Sequence, residues 1–197
     1  WRPSDFDTLV GQKAVKIALT NALESGRIAH AYLFSGPRGT GKTSTARIFA
    51  KALNCEHGPT AHPCGKCQNC QEITDGTSMD VFEMDAASNR GIDDIKALRE
   101  RLLNRSYNQG SYKVYIIDEV HMLTTESFNA LLKTLEEPPD NVIFILATTD
   151  PQKVPATIHS RCQRFDFRRI TVEEITDHLE MVATNSGLEA EREALRL

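Results

Sequence analysis

Residues 35–44, reading Ser-Gly-Pro-Arg-Gly-Thr-Gly-Lys-Thr-Ser, constrain this chain more than any other stretch. They satisfy the spacing Gly-x4-Gly-Lys-Ser/Thr through Gly36, Gly41, Lys42 and Thr43. The preceding Ala31-Tyr32-Leu33-Phe34 reads as a short buried strand, and residues 45–53 carry apolar side chains at helical spacing. A strand, a glycine-rich turn and a helix in that order make a phosphate cradle. Glycines let backbone N–H groups converge, and the helix N-terminus adds positive potential. On this reading Gly36, Gly39, Thr40, Gly41 and Ser44 form the cradle. The Lys42 ammonium reaches the β/γ-phosphates of a nucleotide, and the Thr43 hydroxyl holds Mg²⁺. The competing reading, a turn that only joins strand to helix, does not explain why both flanks are correct.

The rest of the chain alternates in the same way. A helix is expected over 13–25, with Ala14, Ile17, Ala18 and Ala22 inward and Gly26 as its stop. A second strand is expected over 80–86 and a helix over 92–104, with Ile95, Leu98 and Leu102 inward; Asn108-Gln109-Gly110 reads as a turn. The β-branched run 113–117 ends in Asp118-Glu119, and a helix follows with Phe128, Leu131, Leu132 and Leu135 on one face until Pro138-Pro139. Residues 141–146 form a fourth strand leading to Thr148, and 163–169 a charged fifth strand at an edge. Thr171-Val172-Glu173-Glu174 is a capping box that opens a further helix, with Ile175, Leu179 and Val182 inward and Gly187 beyond its end. Near-continuous apolar strands alternating with helices predict a parallel sheet covered on both faces.

A phosphate cradle binds; hydrolysis needs more. Asp118 falls at the C-terminal end of a hydrophobic strand, where ligands gather in an open α/β sheet. It is the candidate Walker-B aspartate for Mg²⁺, and Glu119 beside it is the candidate general base toward water. At the end of the next strand Thr148 is the candidate to contact the γ-phosphate or the water, with Thr149 hard to separate from it.

Cys55, Cys64, Cys67 and Cys70 give the spacing C-x8-C-x2-C-x2-C in an insertion read as loop-like. Four thiolates suit a tetrahedral zinc shell. The last three also resemble an iron–sulfur run, although no proline follows and shielding apolar residues are few. A redox pair is a third reading, and His57 or His62 could replace a cysteine. With no secretory leader in view, five cysteines point to a reducing compartment, read as cytoplasmic, and Cys162 reads as a small buried residue. No apolar run approaches the roughly 20 residues of a membrane span. A net charge of −4 argues against a uniformly basic nucleic-acid coat, not against a local stripe.

Together these residues resemble the AAA+ ATPases. The run from Ser127 through Leu131, Leu135 and Glu136 to Pro139, then Ser160-Arg161-Cys162, is similar to the clamp-loader branch. With the cysteine insertion, the chain resembles the gamma/tau family of bacterial DNA polymerase III clamp loaders. The resemblance implies an AAA+ domain over 1–170, an α/β five-stranded parallel sheet with a structural zinc insertion at 55–70. It implies that 171–197 begin a small helical lid, so the chain reads as a trimmed piece. It implies ATP, Mg²⁺ and Zn²⁺ as cofactors, and an ATPase motor in a ring-like pentamer that places a sliding clamp on primed DNA. Lys42, Glu119, Thr148 and Arg161 then carry catalysis, Arg161 as a finger reaching a neighbouring subunit's ATP. Val10 lies near the adenine, and helix starts such as the one after Arg90 touch the DNA backbone. A lid arginine falls past Leu197, so the piece alone should be a weak ATPase. A non-hydrolysing subunit of the same assembly and a DExH-type helicase, from Asp118-Glu119-Val120-His121, are the alternatives.

Overall fold

Three strands are buried at nearly every position, and that decides where they sit. In this computed structural model, residues 3–102, 111–188 and 191–196 are described, apart from the side chains at 99, 101 and 102. The strands are β1 (Ala31–Ser35), β2 (Val81–Asp85), β3 (Lys113–Asp118), β4 (Val142–Thr148) and β5 (Gln163–Asp166). They pair in the order β2-β3-β4-β1-β5, all parallel. β1, β3 and β4 occupy the middle, while β2 and β5, which carry exposed charged residues, take the edges. This bears out the expected five-stranded parallel sheet with its charged strand at one edge.

Each middle strand sends alternate side chains to opposite faces, as the period of two requires. On one face Tyr32, Phe34, Val114, Ile116, Ile143 and Ile145 meet α1 (Lys13–Ser25), α2 (Lys42–Asn54) and α3 (Gln68–Asp75). On the other, Leu33, Tyr115, Ile117, Phe144 and Leu146 meet α4 (Ile92–Leu102), α5 (Thr125–Glu136) and α6 (Ala156–His159). Tyr115 stacks between Phe82 and Phe144, with ring centroids 5.1 and 5.5 Å away. Burying each such large side chain is worth about 1.5–3 kcal/mol. α5 begins at Thr124, whose hydroxyl accepts from the Ser127 amide, and ends before the proline pair.

Several expectations are corrected here. The inward face of α1 is Val15, Leu19 and Leu23; Ile17 is 54% exposed and Ala14 is also at the surface. Residues four apart share a helix face, so Val15, Leu19 and Leu23 turn to the sheet together while Ile17, two positions off, turns away, and Ala18 and Ala22 only flank the contact. α3 replaces the last part of the expected loop; its eight residues were too short and polar to show periodicity. In α7 (Val172–Asn185) the capping box forms as expected and Gly187 follows at φ +69°. Its apolar face does not turn inward, however: Ile175 and Leu179 are exposed, Val182 is half-buried, and Thr176 is the buried residue. The short helical turn at 194–196 packs against α7, yet Ile175 and Leu179 stay exposed and neither joins the sheet's core clusters. Leu132 is half-buried, and Cys162 half-buried against the α4–α5 side of the sheet. The Leu102 side chain and the turn at 108–110 lie outside the described residues. Among the described residues no helix is long and apolar enough to cross a membrane.

Candidate nucleotide site and cysteine centre

Parallel pairing aligns the carboxyl ends of the strands. Ser35 lies opposite Thr148, and Asp85 opposite Asp118. The loop after β1 therefore closes over the acidic end of β3. A cavity of about 400 Å³ opens there, lined by Arg38, Gly39, Gly41, Lys42, Thr43, Ser44, Asp85, Asp118 and Glu119. Gly36 must be glycine: its φ is +148°, and a Cβ would stand 2.3 Å from the Phe167 carbonyl oxygen. Gly41, at φ +92°, starts α2 with no side-chain cap, leaving the first-turn N–H groups for a ligand.

Lys42 is 6% exposed and donates to the Gly36 and Pro37 carbonyls at 2.7 and 2.8 Å. Burial pushes its pKa below the usual lysine value, against the opposing pull of Glu119 and Asp118. The Thr43 hydroxyl donates to Asp118 Oδ2 at 2.6 Å, and the Glu119 amide donates to Oδ1 at 2.9 Å. Asp118 is thus aimed at the start of α2. Two cations face three carboxylates in this lining, a set that favours a divalent cation beside a polyanion.

Glu119 sits at φ +48°, which swings its side chain toward the end of β4. There Oε2 accepts from the Thr149 hydroxyl at 2.8 Å and the Thr149 amide at 3.2 Å. His121 Nδ1 lies 3.4 Å from the same oxygen and Arg38 lies 3.9 Å from Oε1. Thr148 is fully buried; its hydroxyl meets His121 Nδ1 and accepts from the Asp150 amide, both at 3.0 Å. The pair that sequence left undivided is therefore divided by geometry: Thr149 contacts Glu119 and Thr148 turns inward. Thr40 is buried and bonds the Pro37 carbonyl. Val10 is half-buried just before Gln12, whose side-chain amide pairs with the Arg168 backbone at 2.6 and 3.0 Å and also reaches Thr40.

Arg161 stands away from this cavity, half-exposed, with its guanidinium on Glu136 at 2.7 Å and on the Thr157 carbonyl at 2.9 Å. Arg90 is exposed and donates to the Ala87 carbonyl, while Asp93 and Asp94 occupy the first turn of α4. Those carboxylates offset the helix-terminal potential that a phosphate would use. Sequence reasoning passed over Arg38, Asp85 and the contacts of His121. Asp85 bore the same signal as Asp118, an acid ending a strand, but its strand is less apolar.

The four cysteines converge. Cys55 ends α2, Cys67 starts α3, Cys70 lies one turn into α3, and all four sulfurs lie within 4.8 Å of one another. A tetrahedral shell with Zn–S near 2.3 Å needs sulfurs about 3.8 Å apart, so the group fits a metal with little adjustment. The Lys66 and Cys67 amides hold Cys64 at about 6, below the ordinary thiol value, and burial raises Cys70. His57 and His62 stand outside the group; His62 lies 3.4 Å from Asp7 instead. Asn54 ties the insertion to the sheet: its side chain exchanges bonds with the Tyr112 backbone at 2.9 and 2.8 Å, and its carbonyl accepts from Asn69.

Fold and site together define a P-loop nucleotide-binding protein of the AAA+ type. A solved RuvB Holliday junction branch migration motor from Thermotoga maritima superposes with a TM-score of 0.72 at 24% identity, covering 99% of this chain and 58% of that one, a likeness of fold. The family model described as DNA polymerase III, delta subunit, matches residues 11–171, and the chain belongs to that family. Its relatives include DNA polymerase III subunit tau of Bacillus subtilis, 54% identical over 197 residues, and of Escherichia coli, also 54% identical over 197 residues. The match spans the whole chain but only 35% and 30% of those two relatives.

Proposed function

We propose that this chain is an ATP-binding and ATP-hydrolysing motor subunit of a replicative clamp loader. The observation that carries the reading is the 2.6 Å bond from Thr43 to Asp118, which brings the phosphate loop and the acidic strand end onto one point. Lys42 and the uncapped amides of α2 bind the phosphates, and Thr43 with Asp118 holds Mg²⁺. The metal, when bound, neutralises charge on the phosphate oxygens. Glu119 accepts a proton from water at its free carboxylate oxygen, while Thr149 orients it; this takes the place first assigned to Thr148. Arg161, released from Glu136, serves a neighbouring subunit, so hydrolysis depends on assembly.

The partners on this reading are other clamp-loader subunits in a ring, a sliding clamp, and primed DNA touched through its backbone in a salt-dependent way. Zn²⁺ in the Cys55, Cys64, Cys67 and Cys70 shell is architectural, because four thiolates leave no open position. Residues 171–197, with α7, belong to the helical lid. The deciding experiment compares ATP hydrolysis by the assembled loader with and without Lys42→Ala. A loss is expected; equal rates would make this chain a scaffold.

A further inference from the structure

Gln12 stands at φ +53° and ψ 35°, a left-handed backbone that residues with a side chain seldom adopt, and its side chain does not cap the α1 it precedes. Such strain persists where the surroundings fix it, and it gathers at functional sites. Here the side chain bonds two other segments. Its Nε2 donates to the Arg168 carbonyl at 2.6 Å, and its Oε1 accepts from the Arg168 amide at 3.0 Å, so one side chain engages both backbone groups of that residue. The same Nε2 donates to the Thr40 carbonyl at 3.3 Å. That carbonyl and the Gly41 N–H are the two ends of one peptide plane, and a trans peptide points them in opposite directions. Gly41 lines the cavity. A phosphate taking the Gly41 N–H and Gln12 taking the Thr40 carbonyl therefore favour the same orientation of the plane, and hydrogen bonds chained through one peptide strengthen each other.

The segments that Gln12 joins both touch the phosphate loop. Leu9, buried, lies against Gly41, where an added Cβ would stand 3.3 Å from its Cδ1. Phe167 lies against Gly36, and its amide donates to the Ser35 carbonyl at 2.7 Å. Residues 167–171 lead from β5 to α7, and Glu174 of the α7 capping box comes close to Gly11, where a Cβ would meet its carboxylate at 3.4 Å. The loop is thus backed by residues 9–12 and by 167–168, and Gln12 bonds one to the other. We propose that Gln12 is a positioning residue that couples occupancy of the phosphate loop to docking of the 167–174 junction with α7. The inference rests on the nucleotide site proposed above. Such coupling is reciprocal: a docked junction strengthens nucleotide binding as much as nucleotide strengthens docking.

The test uses full-length protein with ADP and Mg²⁺, so that hydrolysis does not enter. ADP affinity is measured by titration, and hydrogen exchange is followed at residues 168–174 with and without ADP. In unaltered protein ADP should slow exchange there. Gln12→Leu and Gln12→Gly should weaken ADP binding by about 5-fold or more and abolish that slowing. Gln12→Glu, which keeps an acceptor for the Arg168 amide but no donor for either carbonyl, should do the same. A glutamine that only braced the fold would shift the melting temperature equally with and without ADP; here the ADP-dependent rise itself should shrink. Gln12→Gly removes the side chain while relieving the left-handed backbone, and it decides if Gln12→Leu does not fold. Unchanged ADP affinity in Gln12→Gly, or ADP slowing exchange at 168–174 as much in it as in unaltered protein, overturns the proposal. So does unaltered protein that binds ADP without slower exchange there. Unaltered protein that binds no ADP would overturn the nucleotide reading itself, a separate outcome.

Discussion

The Thr149 hydroxyl donates to Glu119 Oε2 at 2.8 Å, while the hydroxyl of its neighbour Thr148 meets His121 at 3.0 Å. Thr149 is half-buried against Glu119, and Thr148 is fully buried, with His121 between its hydroxyl and Glu119 Oε2. Thr149→Ala in the assembled protein is therefore expected to slow hydrolysis with little change in melting temperature. Thr148→Val strands buried partners and should cost about 1–3 kcal/mol of stability. Glu119→Gln should bind ATP and lose about 10²–10⁴ in turnover. Steady-state rates and thermal melts on the three variants check this.

Arg161 rests on Glu136 at 2.7 Å at the surface. If it acts on a neighbour, Arg161→Ala should leave this chain's own nucleotide affinity unchanged and lower the assembly's rate by about 10³–10⁵. Glu136→Ala removes an exposed ion pair and should shift stability by no more than about 1 kcal/mol. Nucleotide titration of the chain beside turnover of the assembly separates the two effects.

Gly36→Ala places a methyl 2.3 Å from the Phe167 carbonyl at a φ of +148°. The loop or the chain after β5 must move. A loss of stability of about 1–3 kcal/mol is expected, with weaker nucleotide binding, and denaturant unfolding together with ligand titration would show both.

Burial raises Tyr32 from 10.0 to about 12 and Cys162 from 9.0 to about 12. A group whose folded pKa is raised contributes stability that is complete below its unfolded value and is lost as pH climbs through the folded one. Stability should therefore decline from about pH 9 upward. In zinc-loaded protein, where Cys70 would be a metal ligand, Cys162→Ala should delay the onset toward pH 10, where Tyr32 takes over. Melting temperature against pH measures it.

Much of the site was legible because its residues are neighbours in the chain. Gly36, Gly41, Lys42 and Thr43 sit within eight positions, and Asp118 and Glu119 end one apolar strand. Local spacing is enough when a turn and the helix after it make the site. The same holds for the helix over Lys13–Ser25, the capping box at Thr171 and the cysteine cluster.

Sequence alone thus determined the alternation of strand and helix, the phosphate loop and the four-cysteine group, all governed by short-range periodicity and backbone stereochemistry. The tertiary structure alone decided which of Thr148 and Thr149 bonds Glu119, that Val15, Leu19 and Leu23 rather than Ile17 form the buried face of α1, and that Lys51 bonds the Ser4 carbonyl. These depend on what packs against each element. A side chain's partners across the sheet come from residues tens of positions away, and no pattern within a single helix or strand encodes them.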